Sequence, residues 1–152
     1  MGSEVKVSGN RVQIKRMFAA PRELVFSFWT DAEKYRKWSG CHEATECEVE
    51  MDFRVGGSFT QRLLNAGICL LTIKGEYEEI VVPQRIVYRA TFGEAPAHVE
   101  VDFLEVAGGT QTILTIDGIS EEMIRTEVTR GHSESFDMLE PFFRESPPVG
   151  AI

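Results

Sequence analysis

Apolar and polar residues alternate over several short stretches of this chain. At positions 11–18, Val12, Ile14 and Phe18 share one set of alternate positions, and mostly polar residues share the other. At positions 45–51, three glutamates alternate with less polar residues. A period of two is typical of a strand with one buried face. Both stretches are therefore predicted to be strands, the second with a solvated acidic face.

The middle of the chain continues this pattern between turn signals. Glycine and proline residues near 56–57, 65–67, 83, 93–96 and 108–109 separate the apolar stretches. Together with 45–51, these stretches predict six strands in hairpin succession, which favours antiparallel pairing. The five further strands are predicted at 59–63, 69–77, 86–92, 99–103 and 112–116.

Two short helices are predicted between the first strand and the hairpins. Pro21 opens the first, because a proline at a helix start loses no hydrogen bond. Either Thr30 or Asp31 caps the second, which runs to about Trp38. The apolar stripe of the first helix consists of Leu24, Val25, Phe28 and Trp29.

A long helix is predicted near the end of the chain, where the apolar period changes to about 3.6. His132, Phe136, Leu139 and Phe143 follow one another at spacings that place them on one helical face. Gly131 either packs closely against another element or delays the helix start. Pro141 disrupts a helix interior, so the helix either ends near Glu140 or bends there.

These elements predict an α+β domain in which a curved antiparallel sheet wraps around the long C-terminal helix. The only long amphipathic element available to cover the apolar face of the sheet is that helix. We expect a single domain at 10–145, a flexible N-terminus at 1–9 and a flexible tail at 146–152. A hydrophobic pocket is expected between sheet and helix.

Charge and cysteine content narrow the classes of partner. The 152 residues carry a net charge of −8, which disfavours binding to nucleic acids or to anionic membranes. Three cysteines, an odd number, indicate a reducing cytoplasmic setting rather than a disulfide framework. No stretch is typical of a signal peptide or a membrane span, so we expect a soluble protein.

Several segments carry a family resemblance over residues 10–143. The most specific are Trp-Thr-Asp at 29–31, followed by Trp38, and Asp-Phe-Arg-Val-Gly-Gly at 52–57. Phe-Ala-Ala-Pro at 18–21, Gly-Glu-Tyr at 75–77 and Pro-Gln-Arg-Ile-Val at 83–87 support them. The chain thus resembles homologues of the activator of heat-shock protein 90 ATPase, within the START-like (SRPBCC, polyketide cyclase-like) superfamily.

The resemblance implies a helix-grip, Bet v 1-like fold with a cavity, and one departure affects that cavity. The family commonly has Gly-Trp near the start of the last helix, where this chain has Gly131-His132. The alternative is that the inward aromatic residues simply fill the core. The residues predicted to contact a ligand are Arg16, Phe53, Phe59, Tyr77, Tyr88, Phe92, Val101, Phe103, His132 and Phe136.

Two of these residues have competing interpretations. His132 either orients a ligand or acts as an acid–base group, or it is a structural residue of the buried stripe. Arg16 lies among the apolar positions of its strand. Its guanidinium either binds a ligand carboxylate or extends along the surface to reach water.

Other candidate chemistry is weaker. Cys41, His42 and Cys47 supply only three potential zinc ligands, with no companion pair. The segment 52–57 lacks the Lys-Ser/Thr of a phosphate loop, so its glycines are interpreted as a bend, across which Asp52 and Arg54 can pair. No nucleophile motif is present. We therefore predict no catalytic residue, no metal and no cofactor.

Three functions remain open. The first is binding of a small hydrophobic molecule in the pocket. The second, implied by the resemblance, is a co-chaperone-like module, part of a stress response, that acts on heat-shock protein 90 ATPase through its surface. The third is a cyclase-like or hydrolase-like enzyme with His132 as acid–base group. A homodimer is a further alternative, and the sequence favours no particular edge for it.

Overall fold

The structure is a computed structural model that describes residues 2–40, 43–119 and 122–145. Eight strands and three helices are found in this part of the chain. In chain order they are β1 (Glu4–Ser8), β2 (Arg11–Phe18), α1 (Arg22–Thr30), α2 (Ala32–Trp38), β3 (Glu46–Met51), β4 (Ser58–Asn65), β5 (Ile68–Val81), β6 (Arg85–Phe92), β7 (Ala95–Val106), β8 (Gly109–Asp117) and α3 (Glu122–Glu145).

All eight strands form one antiparallel sheet in the order β1-β2-β8-β7-β6-β5-β4-β3. Strands β3 to β8 are paired in hairpin succession, as predicted, and β2 joins the sheet beside β8. Helix α3 is the long element against the curved sheet. The predicted α+β helix-grip architecture is confirmed.

Strand β1 is a correction to the sequence analysis, which had assigned residues 1–9 to a flexible N-terminus. Residues 4–8 pair with β2 from Glu4 opposite Lys15 to Ser8 opposite Arg11. All five residues are exposed. Because neither face of β1 is buried, its short alternation gave little signal in the sequence. The predicted tail at 146–152 lies outside the described residues.

The inner face of the sheet follows the predicted period of two. On β2, Val12, Ile14 and Phe18 are at most 1% exposed. On β7, Val99, Val101 and Phe103 alternate with half-buried neighbours in the same way. Burial of each such side chain stabilises the fold by about 1.5–3 kcal/mol. These strands supply the part of the core that is completely filled.

The two short helices meet at Asp31. Its carboxylate accepts hydrogen bonds from the backbone N–H groups of Glu33, at 2.9 Å, and Lys34, at 3.4 Å. Asp31, rather than Thr30, is therefore the cap of α2. Pro21 precedes the first residue of α1, and its carbonyl accepts the first helical hydrogen bonds.

Helix α3 spans 24 residues and continues past Pro141 to Glu145. The alternative in which the helix ends near Glu140 was wrong. Proline lacks an N–H group, so the helix loses one internal hydrogen bond there. Phe136, Leu139 and Phe143 are buried on one face, which confirms the predicted stripe.

The segment between β3 and β4 is a bend, as predicted, and its backbone is also hydrogen-bonded to β5. Asp52 and Arg54 form an ion pair of 2.7 Å across it. Gly56 has a positive φ of 83°, and a Cβ at Gly57 would lie 2.1 Å from the Asp52 carbonyl oxygen. The backbone of both glycines is hydrogen-bonded to Tyr77. Glycine is therefore required at this bend for geometry.

Candidate functional site

A hollow of about 370 Å³ lies between the first half of α3 and strands β4 to β6. We call it the helix–sheet pocket. Helices α1 and α2 close one end of it through Trp29 and Trp38. Aliphatic residues of the sheet form much of the remaining wall, among them Leu63, Leu71, Ile73 and Leu114.

Two glycines explain why this region is hollow. A Cβ built at Gly131 of α3 would meet no atom within 4 Å. At Gly40, after α2, a Cβ would meet only the ends of Leu63 and Met138, both at 3.8 Å. Both glycines line the pocket. The prediction that Gly131 packs closely or delays the helix was therefore wrong, because it lies inside α3 and faces open space.

Four of the ten residues predicted to contact a ligand line this pocket. They are Tyr88, Phe92, His132 and Phe136. The structure brings them together from β6 and α3. Whether any of them contacts a ligand stays a prediction.

Five further predicted residues lie outside the lining, in the filled part of the core. Phe53 and Phe59 pack against Tyr77 with ring centroids 5.0 and 5.3 Å apart. Phe103 packs edge-on against Trp29 at 5.0 Å, and Val101 is fully buried on the same strand. The sequence identified inward positions correctly, but it could not separate those that fill the core from those around the pocket.

Arg16, the tenth residue, also lies outside the pocket and joins α3 to β2. Its guanidinium forms an ion pair with Asp137 and another with Glu140, the latter at 3.1 Å. It also lies 5.9 Å from the centre of the Phe18 ring. The alternative in which Arg16 reaches water was wrong, because its side chain is only 4% exposed.

His132 lies half-buried on the pocket wall. Its Nδ1 is 2.8 Å from the carbonyl oxygen of Val128, and a carbonyl only accepts, so Nδ1 carries the proton. Burial lowers the pKa of the ring below its ordinary 6.5, and the bond to Val128 opposes this shift. Nε2 is then an acceptor at neutral pH. Among the described residues, no carboxylate or nucleophilic side chain is hydrogen-bonded to the ring.

Sequence reasoning missed a polar network around Gln61. The Gln61 amide nitrogen donates to the backbone carbonyl of Ser39 and lies 2.9 Å from the Ser39 hydroxyl and 3.4 Å from the Cys47 sulfur. Gln61 is only 4% exposed and lines the pocket. A polar residue between Phe59 and Leu63 on the inward side of β4 was the available signal.

Two phenols add polar groups to the wall. Tyr88 comes from β6, and Tyr35, which the sequence analysis did not select, comes from α2. Burial is the main cause that raises the pKa of both hydroxyls above the ordinary 10. Both groups therefore remain protonated at neutral pH and can donate hydrogen bonds.

Charged groups at the rim of the pocket are paired. Arg130 forms ion pairs with Glu43 at 3.3 Å, Glu134 at 3.1 Å, and Glu127. Leu70, which is 45% exposed, forms an apolar part of the same rim. The rim therefore presents no uncompensated positive charge from Arg130 to an incoming ligand.

The described residues give little support to the zinc hypothesis. Cys41 and His42 of the zinc hypothesis lie outside the described residues. Cys47, the third potential ligand, donates its S–H group to the Ser39 carbonyl at 3.2 Å. No helix among the described residues has the length and apolar character needed to cross a membrane.

Solved structures from several bacteria share this fold. Protein CV1439 from Chromobacterium violaceum is 24% identical, with 90% of this chain and 99% of that chain covered at a TM-score of 0.81. Protein Ms6760 from Mycobacterium smegmatis is 18% identical, with 96% and 99% covered at 0.80. A protein from Rhizobium leguminosarum is 27% identical, with 95% and 97% covered at 0.71. These similarities support the fold.

Comparison with protein families gives a more specific result. None of the curated protein sequences compared with the chain matched it significantly. The family model described as Activator of Hsp90 ATPase homolog 1-like protein matches residues 19–144. This match includes α1, α2, strands β3 to β8 and nearly all of α3. The chain therefore belongs to the Activator of Hsp90 ATPase homolog 1-like protein family.

Proposed function

We propose that this chain binds a small apolar molecule in the helix–sheet pocket. The observation that carries the proposal is a hollow of about 370 Å³ with aromatic and aliphatic walls. Ligand sites typically have volumes of roughly 300–1,000 Å³, apolar walls and a few polar groups that orient the ligand. Tyr35, Gln61, Tyr88 and His132 supply such groups here.

Gly131 allows a direct test with naphthalene as the probe. Gly131→Leu would place a side chain in the pocket, since nothing lies within 4 Å of the Cβ position. Titration followed by naphthalene fluorescence is expected to show one saturable site in the wild type. The variant is expected to bind at least tenfold more weakly, because a few buried methylene contacts at about 0.8 kcal/mol each are lost.

A matched control adds the same side chain elsewhere on α3. Thr126 is exposed and does not line the pocket, so Thr126→Leu should leave naphthalene affinity unchanged. Thermal melts would show that both variants fold, and Gly131→Leu is expected to be at least as stable as the wild type because it removes a helix-interior glycine. Equal binding by wild type and Gly131→Leu, or no binding by the wild type, would contradict the proposal.

The family match supports a second candidate, activation of Hsp90 ATPase through the protein surface. This function does not need the pocket. It predicts that the chain raises ATP turnover of Hsp90 and that Gly131→Leu does so equally well. An unchanged turnover rate would remove this candidate and leave the ligand-binding proposal intact.

A further inference from the structure

We infer that the preferred ligand is an uncharged apolar molecule with a hydroxyl group that donates a hydrogen bond, such as a phenol or an alcohol. This inference rests on the proposed function and specifies the class of ligand. It is carried by two hydrogen-bond acceptors on the pocket wall, one from β4 and one from α3.

The first acceptor is the carbonyl oxygen of the Gln61 side chain. The orientation of the amide is fixed, because its nitrogen faces the backbone carbonyl of Ser39, which can only accept. Oε1 therefore points away from that carbonyl, and no described residue donates to it. This oxygen is not among the buried polar atoms that lack a partner, so it is accessible, and a hydroxyl group of a ligand can donate a hydrogen bond to it.

The second acceptor is Nε2 of His132. The proton of the ring is on Nδ1, where it is donated to Val128, so the lone pair of Nε2 is available. No described residue donates to Nε2. Phe92 packs against the ring at a centroid distance of 5.8 Å and restricts its orientation. The acceptor is thereby held on the pocket wall.

The charges of the pocket lining disfavour a ligand that carries a carboxylate. The charged residues of the lining are Glu127 and Arg130, and Arg130 is already paired with three carboxylates. A carboxylate on the ligand would face two acceptors and would lose water without gaining a cation. A ligand with only an acceptor, such as an ether, could interact with Tyr35 or Tyr88 but not with Gln61 or His132.

The experiment compares four probes with one ring system: naphthalene, naphthol, methoxynaphthalene and naphthoate, all substituted at the same position. Naphthol is expected to bind about tenfold more tightly than methoxynaphthalene, because only the donor differs in chemistry and one hydrogen bond contributes about that factor. Naphthoate is expected to bind most weakly. Binding is measured by fluorescence titration near neutral pH.

Two variants test the acceptors, and a third is the control. His132→Phe and Gln61→Met each remove an acceptor while keeping a side chain of similar size, and each is expected to reduce the preference for naphthol over methoxynaphthalene. Tyr77→Phe removes a hydroxyl that faces Met51 outside the pocket, and this preference should not change. Two acceptor variants are used so that a folding defect in one does not decide the result.

The outcomes separate the two proposals. If naphthalene, naphthol and methoxynaphthalene bind equally and Gly131→Leu weakens all three, the pocket binds ligands but the inference about the hydroxyl group is wrong. If none of the four probes binds to the wild type, the proposed function fails as well. A naphthol preference that both acceptor variants retain would also overturn the inference.

Discussion

The hydrogen-bonding character of Nε2 of His132, on the pocket wall, depends on pH. The His132 ring is neutral because burial lowers its pKa, and protonation would convert Nε2 from an acceptor to a donor. The groups that share the pocket lining with it include the phenols of Tyr35 and Tyr88 and, at the rim, Glu127 and Arg130. Phe92 packs against its edge. The charge state of His132 should therefore influence both stability and ligand choice.

We predict that His132 makes the fold less stable in acid. Its folded pKa lies below the unfolded value of about 6.5, so the unfolded chain binds the proton more strongly. The contribution to stability is complete above pH 6.5 and is lost as the pH falls through the folded pKa. In His132→Phe this contribution is absent, so the decrease in melting temperature from pH 7.5 to pH 5 should be smaller than in the wild type.

The direct measurement is an NMR titration of the His132 ring protons. His98, which is on β7 and near Glu78, provides an internal comparison in the same spectra. A His132 pKa at or above 6.5 would contradict the prediction. An unchanged acid dependence in His132→Phe would show that other groups cause the loss of stability.

Helix α3 is attached to the sheet differently at its two ends. Its second half is held by buried aromatic residues and by Arg16, whereas its first half covers the pocket. The sequence predicted the helix and its stripe because the apolar spacing is strong and local. It did not predict the attachment by Arg16, since the partners Asp137 and Glu140 are distant in sequence and gave no periodic signal.

We predict that neutralising the two carboxylates of this ion-pair cluster destabilises the fold more than replacing Arg16 does. In Arg16→Met, the remaining carboxylates keep contact with water, because Asp137 is 54% and Glu140 is 24% exposed. In Asp137→Asn/Glu140→Gln, the buried guanidinium loses both negative partners. The second change should cost about 3 kcal/mol or more, because an uncompensated buried charge is more unfavourable than its removal.

Urea unfolding of the wild type and both variants would measure this difference. Arg62→Met with Glu48→Gln gives a matched control, because that ion pair between β4 and β3 is about half exposed on both sides. Removing it should change stability by no more than about 1 kcal/mol. If Arg16→Met proves the more destabilising change, the prediction is wrong, and the ion pairs and hydrogen bonds of the guanidinium contribute more than the cost of leaving it buried without carboxylates.

The core of the domain is closely packed around β2 and β7, whereas it encloses the helix–sheet pocket between the first half of α3 and strands β4 to β6. The hydrophobic pattern predicted seven of the eight strands and all three helices. It could not predict which inward residues surround open space. The pocket is lined by two glycines that are far apart in sequence, Gly40 after α2 and Gly131 in α3, and neither has a side chain to fill it. For the same reason Gln61 and Tyr35 were missed, since their role depends on neighbours from other elements.

This division predicts uneven local stability, which hydrogen exchange can measure. Residues 127–135 of α3 lie along the pocket, so they should open at a lower free energy than β7 and β8, where the core is filled. Naphthol at about 100 times its dissociation constant should stabilise the native state by about 2.7 kcal/mol. If naphthol binds in the proposed site, protection should rise most in residues 127–135, which line that site. Equal initial protection in both regions, or a rise confined to β7 and β8, would contradict this distribution of stability and the location of the bound molecule.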